Sequence, residues 1–109
     1  GDVAQLSFNF VPGGVLMGGL PVPAPLGYAS PINLQRVTAL RVVATGDFTV
    51  TGDKVSGVIG ALTRAGITAT AMHSHLVGET PTLSYIHFWA DGSLRDVAHG
   101  LRLAVDAAR

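Results

Sequence analysis

No cysteine occurs in the chain, which excludes a disulfide framework and a thiolate metal site and leaves redox compartment unreadable. Any bound metal has to be held by nitrogen and oxygen. Charge is scarce too: 13% of residues are charged, and seven Lys and Arg balance seven Asp and Glu. No basic field is available for nucleic acid and no polybasic patch for anionic lipid, so a nucleic-acid partner is not expected. No apolar run approaches the about 18 residues that a membrane span needs, and the N-terminus lacks a basic-then-apolar signal pattern. The chain as given is expected to be soluble, with no membrane span. An N-terminal leader trimmed from a mature product would leave the same picture.

What is present is a greasy composition, 48% apolar with 14 glycines in 109 residues, which fits one globular domain spanning residues 1–109 around one core. Residues 3–11 alternate with Leu6, Phe8 and Phe10 on one face, the pattern of a half-buried strand. From Pro12 to Pro31 the chain holds five of its six prolines among several glycines and no charge, so an ordered loop or a broken strand pair is expected. Residues 32–37 and 40–50 read as a hairpin. Gly46-Asp47 interrupts its second strand and marks a candidate bulge, which makes Asp47 a structural residue rather than a catalytic one.

Asp53 is placed to cap a helix whose stripe is Val55, Val58, Ile59 and Leu62, closed by Gly66. Gly57 and Gly60 within it imply close packing against a neighbour. Strands follow at 67–76 and 83–90 across the turn VGETPT. Ser93, with Asp96 three residues on, then caps a last helix with Leu94, Val97, Ala98, Leu101, Val105 and Ala108 on its buried stripe. The predicted fold is α+β: an antiparallel or mixed sheet of about five strands with two helices packed on one face, in the order β-loop-β-β-α-β-β-α.

Chemistry concentrates in residues 72–89, which carry His73, His75 and His87, the lone glutamate Glu79 and the lone tryptophan Trp89. Side chains two apart on a strand share a face about 6.6 Å apart, so His73 and His75 can converge on one ion. Odd positions look inward on both flanking strands, which brings His87 to the same face if the hairpin register holds. Glu79, in the turn, is a candidate fourth ligand or general base. Such a set suits zinc first, with copper, iron, nickel and manganese also compatible, and an open coordination position would support metal-assisted hydrolysis. The bland alternative packs these histidines at the core edge. His99 is predicted to face solvent on the last helix. Trp89 reads as core or pocket wall and Tyr85 as a packed aromatic.

The run GITATAMHSHLVGETPTLSYIHFW, with Gly66-Ile67, His73-Ser74-His75, Gly78-Glu79 with Pro81 and His87-Phe88-Trp89, and upstream Gly46-Asp47-Phe48 and Leu26 to Ser30, resembles the domain of unknown function of LppY/LpqO-like bacterial lipoproteins and secreted proteins. Ser74 and Thr82 depart from that pattern, where Asn and Arg are usual. The resemblance implies a bacterial cell-envelope or secreted location and no activity. The resulting expectation is a metal-binding domain with His73, His75, His87 and Glu79 as ligands and Glu79 as the catalytic candidate. The alternative is a ligand-binding or assembly module without metal that uses loop 12–31, with a homo-oligomer, an envelope partner or an unidentified small molecule as its counterpart.

Overall fold

A computed structural model of the chain describes residues 2–74 and 76–109. Among the described residues eight strands and two helices follow in order: β1 (Val3–Phe8), β2 (Val15–Met17), β3 (Leu20–Val22), β4 (Ser30–Thr38), β5 (Arg41–Thr51), α1 (Val55–Arg64), β6 (Thr68–His73), β7 (Glu79–Thr80), β8 (Leu83–Gly92) and α2 (Leu94–Ala108). Five of the strands form a wholly antiparallel sheet in the order β1-β4-β5-β8-β6, and three short ones form a second sheet, β3-β2-β7. Both helices pack on one face of the larger sheet. The α+β expectation is met, with the antiparallel alternative realised. No helix among the described residues is long and apolar enough to cross a membrane.

Period-two alternation sorts the central strands into two faces. Val42, Ala44, Phe48 and Val50 of β5, with Ile86, Phe88 and Ala90 of β8, meet Val58, Leu62, Val97, Leu101 and Ala104 of the helices in the main core. Phe8, Phe10, Phe48 and Phe88 run through it as a chain of ring contacts, each step 5.6 Å between centroids. At about 25 cal/mol per Å² of apolar surface, a fully buried side chain of this size is worth about 2–3 kcal/mol. β1 ends at Phe8 rather than residue 11, because Asn9 Oδ1 accepts the Val11 N–H at 2.8 Å and turns the chain.

Three local expectations need correction. Gly46 does not interrupt β5: pairing with β8 runs unbroken from Val42↔Gly92 to Thr51↔Leu83. Its missing Cβ answers a close approach instead, since a Cβ there would lie 2.2 Å from the Pro31 carbonyl oxygen. Asp53 does not cap α1: it lies inside a 3₁₀ turn, Gly52–Lys54, where it accepts a hydrogen bond from Thr51 Oγ1. Leu94 and Ala98 are exposed, because they line a groove of about 380 Å³ left between α2 and Leu6, Phe8 and Leu34 of β1 and β4. Other signals read as expected. Ser93 Oγ accepts the Asp96 N–H at 3.1 Å, and Gly66, at φ +73°, closes α1 with Ile67 N donating to Leu62 O at 2.9 Å.

The uncharged stretch 12–31 is a broken strand pair followed by a 3₁₀ turn, Ala24–Leu26. It packs on its own fold. Val11, Val15 and Tyr28 bury against Leu83 and Tyr85 on the sheet face opposite the helices, and Ser30 Oγ accepts the Thr49 N–H at 2.9 Å beneath them. The segment expected as a plain turn before β8 contains β7, which pairs with β2.

Candidate metal centre

The odd-numbered residues of β8 point away from the helices, so the face carrying His87 is not the helix-covered one that odd-face burial had implied. On β6 the phase changes midway. Ala69 pairs with Phe88, then the register shifts by one residue and Ala71 pairs with His87, Met72 with Ile86 and His73 with Tyr85. Thr70 is the extra residue of a bulge. Ile67 can therefore bury at the helices while His73, six residues on, emerges on the opposite face beside His87.

His73 and His87 do share a face, with ring centroids 4.7 Å apart. Asp47 joins them from β5, directly opposite His87, with His87 Nδ1 2.5 Å from Asp47 Oδ1. One potential ligand atom from each of Asp47, His73 and His87 falls within 4.8 Å of the others. Three neighbouring strands thus supply a half-buried Asp/His/His cluster able to coordinate a divalent metal ion. The Asp47 and His87 side chains keep 17% and 37% of their surface, enough for an ion to arrive from solvent.

At 2.5 Å the two atoms of this ion-pair contact stand closer than two ligands of one ion would. Two ligand atoms on a tetrahedral ion with bonds of about 2.0 Å sit about 3.3 Å apart, so uptake through this pair needs a movement of under about an ångström. Tyr85 forms the floor. Its ring stacks on His73 at 5.7 Å and its hydroxyl donates to the Gly27 carbonyl in the 3₁₀ segment. Burial, and then the negative charges of Glu79 and Asp47, push the phenol up from its ordinary pKa, so Tyr85 is a neutral donor at physiological pH. Beside it lies a cavity of about 250 Å³ lined by Ala24, Pro25, Gly27, Ala29, Asp47 and Tyr85, among others.

Glu79 and His99 stand outside the cluster. Glu79, on β7, is buried, with Oε1 accepting the Leu83 N–H at 3.0 Å, and it is not among the three clustered groups. Its Oε2 has no hydrogen-bond partner among the described residues. His75 lies outside the described residues. His99 is exposed on α2, as expected. Asp47 had been read as structural, and its place in the cluster is the main correction to the site. The signal available for it was a carboxylate in mid-strand, alternating with Thr45 and Thr49, in a chain with few charges.

Residues 2–107 match the model of a family described as Domain of Unknown Function (DUF1259). The chain belongs to that family. The LppY/LpqO-like resemblance is corrected accordingly, and the envelope or secreted location rested on it alone. The match covers every strand, α1 and α2 up to Ala107, including all three members of the DUF1259 chain's cluster. No curated protein and no solved structure gives a significant match.

Proposed function

We propose that the domain binds a divalent transition metal, zinc in the first instance, through Asp47, His73 and His87. The observation that carries this is the convergence of three donors from three strands within 4.8 Å. Three protein ligands leave a coordination position for water or substrate, and the cavity beside Tyr85 gives a small substrate a place next to it. A metal-bound water lowered toward neutral pKa would make hydrolysis the accessible reaction. Neither Glu79 nor His75 is needed for this set.

Metal content by mass spectrometry on protein purified without a histidine tag tests the reading, together with melting temperature on zinc addition. One equivalent of ion and a rise in melting temperature are expected, both lost in Asp47→Ala and His87→Ala with the circular dichroism retained. Protein that takes up no ion and gains nothing from zinc, copper or iron would sink it.

A second reading keeps the stretch 12–31 as an assembly surface, and the exposure of Leu16, Leu20 and Leu26 on its outer side supports it. Light scattering separates the two. An oligomer dissociated by Leu20→Lys, with metal uptake unchanged, supports assembly; a monomer at all concentrations counts against it.

A further inference from the structure

The sheet face that carries the cluster has a second feature, one step along the strands. Trp89 is two residues beyond His87 on β8 and 43% exposed, although it is the only tryptophan of the chain and its largest apolar side chain. The register places Trp89 opposite Thr45 on β5 and Thr68 on β6, Thr45 opposite Asn33 on β4, and Asn33 opposite Gln5 on β1. Directly paired residues share a face, so Gln5, Asn33, Thr45, Trp89 and Thr68 form one row across all five strands. All five are at least partly open to solvent. The row spans four inter-strand steps of about 4.8 Å, about 19 Å in all. A shallow cleft of about 180 Å³ runs along part of it, lined by Asn33, Thr45 and Trp89 with Val3, Gln35 and Val43.

We infer that this row binds a neutral carbohydrate chain. An exposed indole offers a flat apolar face with a polar edge, suited to the C–H face of a sugar ring. The four side chains flanking it are amides and hydroxyls, each both donor and acceptor, which matches sugar hydroxyls that also do both. A proline-rich peptide offers mainly carbonyl acceptors and would leave half of that capacity unused. The row contains no Lys, Arg, Asp or Glu, so an anionic polymer finds no counter-charge on it. Binding here needs no ion at the neighbouring cluster and does not rest on the metal reading.

Because Trp89 is the sole tryptophan, its emission reports on the row directly. The full chain would be titrated with chitohexaose, cellohexaose and maltohexaose, first in chelator and then with zinc. A saturable emission shift with at least one hexasaccharide, unchanged by chelator, is expected. Asn33→Ala and Thr45→Val should each weaken it about fivefold to tenfold. Trp89→Ala, read by calorimetry with its circular dichroism intact, should weaken it tenfold or more. No shift with any of the three up to about 10 mM would overturn the inference. So would a shift that needs zinc, which moves the sugar to the cluster, or a response to a proline-rich peptide and none to the saccharides. Loss of zinc uptake with sugar binding intact would overturn only the metal reading.

Discussion

Gly46 shows how much a single missing Cβ can govern at this site. A Cβ there would stand 2.2 Å from Pro31 O, 3.0 Å from Ile32 Cα and 3.1 Å from Phe88 Cε1, two of them backbone atoms that cannot swing aside. Gly46→Ala should therefore cost about 3 kcal/mol in denaturant unfolding and displace Asp47, its neighbour in the cluster. The reason is invisible in the sequence, because Pro31 reaches Gly46 only through the pairing of β4 with β5. Local reading offers a bulge where the structure has a contact between strands. Asp47 was missed for the same reason, since its partner His87 lies forty residues away on another strand. Two titrations follow from the residue environments. The Arg41 hydrogen bond, aided by its charge, holds Asp91 below the ordinary carboxylate range. The pair's contribution is present above the unfolded value of about 3.9 and is lost as pH falls through the lowered one, which carboxyl NMR shifts would follow. Tyr85 runs the other way. Its contribution is present below the ordinary tyrosine value of about 10 and is lost as pH rises through the raised one, visible by ultraviolet difference titration.

At the scale of the element, the bulge at Thr70 decides which face His73 occupies. Removing Thr70 leaves Ala69 opposite Phe88 and Ala71 opposite His87 as consecutive pairs, so that deletion should keep His73 stacked on Tyr85. Deleting Met72 instead would move His73 opposite Ile86, onto the helix side. Ring-to-ring NMR contacts between His73 and Tyr85 distinguish the outcomes: retained in the first, lost in the second. Strict alternation along residues 67–73 cannot reveal this, because an inserted residue inverts the parity midway. His73 and His87 were expected to meet on an inward odd face; the two meet on the face turned from the helices, and only because the bulge compensates. The helices were more legible. Ser93 and the stripe from Val97 to Ala108 announce α2 through local chemistry alone, and Ser93→Ala should cost about 1 kcal/mol. Leu94 and Ala98 depart from that stripe because how closely α2 settles onto β4 and β1 is a tertiary fact.

For the molecule as a whole, the strand order sets a gradient of protection. β5 and β8 are paired on both sides and backed by the helices, whereas β1 and β6 are the edges of the sheet. Amide hydrogen exchange should be slowest in β5 and β8 and faster in the outward-facing half of β6. The fold class was readable from the alternation of strand and helix patterns; the order β1-β4-β5-β8-β6 was not, because nothing local in β1 says it will pair with β4. That order distributes the cluster unevenly. Asp47 and His87 come from two strands paired on both sides, and His73 from an edge strand. Opening of β6 alone would dissolve the three-donor set while the Asp47–His87 pair stays in place. The release rate of a bound ion would then be timed by local opening of one edge strand rather than by unfolding of the sheet.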